Sequence, residues 1–115
     1  MSRPVVHFEI HARDFGRITD FYSKAFDWTV DADNPMNYGI VQNEGEGING
    51  GIAQRGDDDP GVMFYIAVPD LQAALDQVEA AGGKTVLEPM EIPGMVSLAR
   101  FADPEGNLIG LVKEQ

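Results

Sequence analysis

The stretch Val5-Val6-His7-Phe8-Glu9-Ile10-His11-Ala12 decides the fold, because a related stretch returns at Val62 to Val68. Both stretches alternate in the manner of a half-buried strand. When the sequence is compared with itself at an offset of 56 residues, identical residues occur in the strand and beyond it. The identical pairs are Val6 and Val62, Phe8 and Phe64, Ile10 and Ile66, Asp14 and Asp70, Asp20 and Asp76, Ala25 and Ala81, Thr29 and Thr85, and Val30 and Val86. A fixed internal repeat predicts two copies of one supersecondary unit, neither of which buries its apolar face alone.

Each copy has the same predicted order of elements. Asp14 and Asp70 each stand at the N-cap position of an amphipathic helix, and Gly82-Gly83 ends the second helix. Three shorter strands follow in each copy, at about 28–32, 38–42 and 47–53, and then at about 84–90, 96–102 and 107–113. The sequence therefore predicts an α+β fold of two tandem βαβββ modules, at about 4–54 and 62–113, joined by a linker at about 55–61.

Composition excludes several classes of function. The 115 residues suffice for a single domain, and the absence of cysteine rules out disulfides, thiolate metal sites and cysteine nucleophiles. A formal net charge of -11 argues against nucleic acid and anionic membranes as partners. The N-terminus lacks the apolar run of a signal peptide, and no stretch approaches the length of a membrane span, so we expect a cytoplasmic protein.

The two first strands differ in chemistry. Where the first copy has His7, Glu9 and His11, the second has Met63, Tyr65 and Ala67. His7 and Glu9 are candidates for a general acid and base, since burial and a neighbouring charge shift their pKa values toward neutrality. In the alternative interpretation they are buried groups that hydrogen-bond each other and Gln42 or Asn49. His11, close to the strand end, is expected to be partly exposed.

Other side chains are candidates for lining a ligand pocket. Such candidates are Tyr38, Gln42, Asn49, Met63, Tyr65 and Met90, although methionine and aromatic side chains on strands are often simply core. Trp28 is expected to pack at the end of the first helix or at a subunit contact. The acidic run Asp57-Asp58-Asp59 is interpreted as a solvated linker, because no calcium-binding loop surrounds it.

Several features together resemble a known superfamily. They are the duplicated βαβββ order, a histidine on the first strand, Phe21-Tyr22 in the first helix, Ile48-Asn49-Gly50-Gly51-Ile52, the turn Asp103-Pro104-Glu105-Gly106-Asn107 and the closing Leu108-Ile109-Gly110-Leu111. From Val5 to Lys113 the chain resembles the vicinal oxygen chelate superfamily, which includes glyoxalase I, bleomycin-resistance proteins and extradiol dioxygenases. It is most similar to the short glyoxalase-related proteins.

The resemblance implies that the two modules form a curled mixed sheet around a cup. Metal-dependent members carry four ligands in that cup, on the first and last strands of the modules. His7 falls on the first ligand position, whereas Met63 and Gly110 fall on two others, and the fourth lies within 48–52, which contains no ligand residue. A thioether is a poor ligand for these divalent ions, so no cofactor is expected; a divalent metal on His7 and Glu9 stays the alternative.

The resemblance also implies a function. The leading hypothesis is a homodimer that binds a small molecule, cationic or aromatic, in a metal-free or metal-poor cup. One alternative is a lyase or isomerase that uses His7 and Glu9 as acid and base, and another is a metal-dependent lyase or dioxygenase completed by substrate ligands. A module that binds another protein is a further alternative. Glyoxalase I activity is not expected, since that chemistry relies on a metal to stabilise an enediolate.

Overall fold

The structure is a computed structural model that describes residues 2–94 and 96–114. Within these residues the chain divides into two compact units, each with most of its contacts inside itself. We call His7–Met63 the N-terminal unit. The C-terminal unit consists of the described residues of Met1–Val6 and Phe64–Gln115.

Two helices and eight strands are present in the described residues. They are β1 (Val5–Ala12), α1 (Phe15–Phe26), β2 (Val30–Asp31), β3 (Gly39–Val41), β4 (Asn49–Gln54), β5 (Val62–Val68), α2 (Leu71–Ala80), β6 (Lys84–Glu91), β7 (Ser97–Ala102) and β8 (Leu108–Lys113). The predicted α+β class and the repeated βαβββ order are therefore confirmed. Strands β1 and β5 have the predicted bounds, whereas β2 is shorter than predicted.

In the N-terminal unit the strand order is β2-β3-β4-β1. Strand β1 runs parallel to β4, which pairs Glu9 with Gly51, and the β4–β3 and β3–β2 pairs are antiparallel. One face is covered by α1, and its core of Ala12, Val41 and Ile52 is surrounded by partly buried Phe8, Ile10, Phe15, Ile18, Trp28 and Val30. Residues of β1 at even numbers therefore face the helix, and His7, Glu9 and His11 take the other face.

The C-terminal unit repeats this topology, with the strand order β5-β8-β7-β6. Strand β5 runs parallel to β8, which pairs Tyr65 with Gly110, and the β8–β7 and β7–β6 pairs are antiparallel. Its core consists of Val68, Leu71, Leu75, Ala99 and Leu111. Each unit thus buries a small core of its own beneath its own helix.

Both predicted helix caps are present. The Asp14 carboxylate accepts a hydrogen bond from the Arg17 amide, and the Asp70 carboxylate accepts one from the Ala73 amide, so each satisfies an otherwise unpaired amide of the first turn. After α2, Gly82 has φ +105°, a conformation that glycine adopts without strain. Neither helix in the described part of the chain is long and apolar enough to cross a bilayer.

Trp28 packs at the end of α1, which is the first of its two predicted positions. Its ring stacks on Tyr22 at a centroid distance of 4.7 Å and lies 5.4 Å from the ring of Phe8. The indole therefore joins the helix to β1, and the chain begins to pair as β2 only at Val30.

Candidate functional site

The polar face of β1 carries a buried carboxylate and a buried imidazole. Glu9 is 7% exposed and His11 5% exposed, while His7 is half-buried. The expectation that His11 is partly exposed is therefore wrong. Its ring lies between two acceptors, the Glu9 carboxylate and the Pro60 carbonyl, which compensate for the loss of water.

Four side chains form one continuous hydrogen-bond network, which we call the polar strip: His7, Tyr38, Glu9 and His11. The Nε2 atom of His7 lies 2.8 Å from the Tyr38 hydroxyl, and that hydroxyl donates to Oε2 of Glu9 at 2.8 Å. The other carboxylate oxygen, Oε1, lies 2.7 Å from Nε2 of His11. The strip ends where Nδ1 of His11 lies 2.7 Å from the Pro60 carbonyl oxygen.

The partners fix most of the proton positions. The Tyr38 hydroxyl has one proton and donates it to Glu9, so it accepts from His7, whose Nε2 must carry a proton. A carbonyl oxygen only accepts, so Nδ1 of His11 donates to Pro60. One further proton lies between Glu9 and His11, carried either by the imidazole or by the carboxyl group.

Glycine in β4 gives Tyr38 access to Glu9. A Cβ atom placed on Gly51 would lie 1.8 Å from the Tyr38 hydroxyl oxygen, because the tyrosine ring crosses directly over this residue. Gly51 pairs with Glu9 on one side and with Ile40 of β3 on the other, so the hydroxyl reaches the carboxylate across β4. Asn34 fixes the backbone of Tyr38, since its amide side chain bonds both the Tyr38 amide and the Tyr38 carbonyl.

Glu9 and His7 bond to Tyr38 and His11 rather than to the predicted polar partners Gln42 and Asn49. The Asn49 side-chain oxygen accepts from the Asn43 amide and so closes the loop before β4, and Gln42 is exposed. Sequence reasoning missed Tyr38 as the connecting group. The signal that could have found it is the pair of glycines in β4, which leave room for an aromatic ring from the neighbouring strand.

Burial lowers the pKa of His7 below its ordinary value of 6.5. The charge of Glu9 raises this pKa, as predicted from the sequence, but the effect of burial is larger. The expected net shift of His7 toward a higher pKa is therefore wrong. As a result, His7 is an uncharged imidazole near neutral pH, able to accept a proton or to bond an uncharged ligand.

This pKa shift predicts a pH dependence of stability. Because the folded-state pKa of His7 is lower than the unfolded one, its contribution to stability is complete above about pH 6.5 and declines at lower pH, where the unfolded chain takes up the proton first. We expect wild type to lose more free energy of unfolding than His7→Gln between about pH 7.5 and about pH 5.5 in urea titrations. An equal or larger loss in the variant would show that the pKa of His7 is not lowered.

The apolar pocket candidates do not all lie in one unit, since Met63 belongs to the N-terminal unit and Tyr65 and Met90 belong to the C-terminal unit. Met63 and Tyr65 are buried, whereas Met90 on β6 is 45% exposed. The ring of Tyr65 lies over Gly110, where an added Cβ atom would be 2.3 Å from the ring, and its hydroxyl accepts from Arg100 at 3.4 Å. Each unit therefore has a tyrosine ring over a glycine of the sheet. Tyr38 covers Gly51, which pairs with Glu9, and Tyr65 covers Gly110, with which it pairs.

The donor set does not fit the metal site of the metal-dependent members of the superfamily that the chain resembles. Among residues 2–94 and 96–114, no three His, Asp or Glu side chains lie close enough together to hold a metal ion. Glu9 and His11 bond to each other, and His7 bonds to Tyr38. At position 110, where the resemblance implies a ligand, the space beside the glycine is filled by the Tyr65 ring.

Relatives of known sequence place the chain in a family. The sequence profile of the Glyoxalase-like domain matches residues 7–112. A glyoxylase-like domain-containing protein of Didymella fabae is 31% identical over 110 residues, which cover 86% of this chain and 84% of that protein. The anthracycline biosynthesis protein DnrV of Streptomyces peucetius is 28% identical over 118 residues, and the match covers 86% of this chain but 42% of DnrV.

A solved structure shows the same fold. A member of the glyoxalase/bleomycin resistance protein/dioxygenase superfamily from Vibrio splendidus superposes with a TM-score of 0.69 at 17% identity, covering 98% of this chain and all of that one. The repeated βαβββ order, the histidine on β1 and the family profile agree with one another. The chain belongs to the Glyoxalase-like domain family.

Proposed function

We propose that this protein binds a small molecule at the polar strip without the help of a metal ion. The observation that carries the proposal is the gradient of burial along the strip, from half-buried His7 and Tyr38 to buried Glu9 and His11. A ligand would meet the strip at His7, where an uncharged imidazole offers hydrogen bonding at little desolvation cost. Glu9 and His11 hold this end of the strip in place, because Tyr38 bonds to Glu9 and Glu9 bonds to His11.

We propose a planar aromatic ligand, and a cationic one in particular. The formal net charge of -11 attracts cations to the molecule as a whole. A relative, DnrV, is named for anthracycline biosynthesis, which is consistent with a planar aromatic ligand. Because of the same negative charge, we propose no nucleic-acid or membrane partner. We also propose a homodimer, which analytical sedimentation would test.

Daunorubicin is a suitable first probe, since this anthracycline is planar, carries an ammonium group and fluoresces. We expect its fluorescence titration to saturate with chelator-treated protein, and His7→Gln and Tyr38→Phe to weaken binding about tenfold each. The matched control is Gln77→Ala, an exposed position on α2. Binding that requires an added divalent ion, or that both polar-strip variants leave unchanged, would contradict the proposal.

One observation favours a second candidate, a lyase or isomerase that moves a proton. The Tyr38 hydroxyl joins His7 to the Glu9–His11 pair, so a proton accepted by His7 from a substrate can be balanced by shifts along the strip. The low pKa of His7 keeps this base unprotonated near neutral pH. Proton NMR in D2O separates the candidates: an enzyme exchanges a carbon-bound hydrogen of the bound molecule and His7→Gln abolishes the exchange, whereas a binding protein leaves it in place.

A further inference from the structure

A concave site apart from the polar strip lies within the N-terminal unit, between the end of β1 and the first turns of α1. This cleft has a volume of about 490 Å³ and is lined by Ile10, His11, Ala12, Arg13, Asp14, Arg17, Ile18, Phe21, Tyr22 and Arg55. Its volume falls within the range of small-molecule sites. We call it the arginine cleft.

The arginine cleft concentrates positive charge in an acidic protein. It contains three of the five arginines in the chain, although the formal net charge is -11. In the part of the chain that the structure describes, neither Arg13 nor Arg17 forms an ion pair with a carboxylate. Asp14 also lines the cleft, but its carboxylate accepts the Arg17 amide as the helix cap. Arg55 is held by a hydrogen bond from its Nε to the Asp59 carbonyl.

The walls of the cleft are mainly apolar. Phe21 is 54% exposed, and its ring meets that of Tyr22 edge-on at 5.0 Å. Exposed aromatic surface next to guanidinium groups suits a molecule with an apolar body and an anionic end. Guanidinium groups bind carboxylates through paired, charge-assisted hydrogen bonds, which makes a carboxylate the best match for that end.

We propose that the arginine cleft binds an organic carboxylate with an aromatic or apolar body. The site is distinct from the ligand-facing end of the polar strip, because His7 and Tyr38 are not among its lining residues. His11 belongs to both: it is one of the residues that line the cleft, and its Nε2 bonds Glu9. A carboxylate in the cleft is therefore expected to change the environment of a histidine that anchors the polar strip.

The test uses 2-naphthoate as the probe and calorimetric titration of the whole chain. We expect one site per chain, binding that weakens as salt is raised, and a Kd about tenfold higher or more in the double variant Arg13→Gln, Arg17→Gln. The control double variant Arg3→Gln, Lys24→Gln removes the same charge outside the cleft and should bind like wild type. In NMR spectra, 2-naphthoate should shift the backbone amide signal of His11.

Three results would overturn the proposal. The first is equal binding of the uncharged 2-naphthamide, which would show that the carboxylate is not recognised. The second is equal weakening in both double variants, which would indicate attraction by net charge alone. The third is loss of 2-naphthoate binding in His7→Gln with no loss in the arginine variant, which would place the ligand at the polar strip. Circular dichroism of each variant confirms that it is folded.

Discussion

Replacing Glu9 by alanine is expected to lower the free energy of unfolding by about 4 kcal/mol. The carboxylate accepts from the Tyr38 hydroxyl and lies 2.7 Å from Nε2 of His11, so its loss leaves two polar groups in a largely buried place without that partner. A cavity of several methylene groups is added to this cost. Urea unfolding monitored by Trp28 fluorescence measures the effect, because this residue is the only tryptophan.

Glu9→Gln is the matched control. A glutamine amide can accept from Tyr38 with its oxygen and donate to Nε2 of a neutral His11 whose Nδ1 still donates to Pro60, so every hydrogen bond of the strip is kept. We expect a cost of about 1 kcal/mol for this variant. If Glu9→Ala and Glu9→Gln unfold at the same urea concentration, the hydrogen bonds of Glu9 do not stabilise the unit.

Replacing Gly51 by alanine is expected to cost about 3 kcal/mol, because its new methyl group would occupy the place of the Tyr38 hydroxyl. The ring must then move away, and Glu9 and His7 lose the group that joins them. Gly16→Ala is the matched control, since its added Cβ atom would meet nothing closer than an Asp14 oxygen at 4.0 Å. On a helix, this second change is expected to be neutral or to stabilise by about 0.5 kcal/mol.

A double-mutant cycle assigns the cost of Gly51→Ala to Tyr38. In a Tyr38→Ala background the methyl group meets no ring, so the cost should fall to about 1 kcal/mol or less. Equal costs of Gly51→Ala with and without the Tyr38 ring would show that the glycine is needed for another reason, such as strand geometry.

The fold could be predicted from the sequence because its signals are local and occur twice. Alternation in β1 and β5, the caps Asp14 and Asp70 and the stop at Gly82 each follow from neighbouring residues, and the internal repeat made each assignment support the other. Strand β2 was less predictable. The strand was predicted to begin at about residue 28, but Trp28 stacks on Tyr22 instead. This contact depends on the tertiary packing of α1.

The site could be predicted only in part. The alternation placed His7, Glu9 and His11 on one face of β1, but it did not show which of these side chains bond to each other. Glu9 bonds His11, whereas His7 reaches Glu9 only through Tyr38, a residue separated from Glu9 by 29 positions in the sequence. That connection depends on the register of three strands and on the missing side chain of Gly51.

The order of bonds in the network of His7, Tyr38, Glu9 and His11 can be tested directly, because the chain contains only two histidines. Long-range proton–nitrogen NMR spectra near neutral pH report which ring nitrogens carry protons. We expect His7 to be the uncharged Nε2–H tautomer and to change when Tyr38 is replaced by phenylalanine, and His11 to carry a proton on Nδ1. An Nδ1–H tautomer or an average of both forms at His7, unaffected by Tyr38→Phe, would show that His7 does not donate a hydrogen bond to Tyr38.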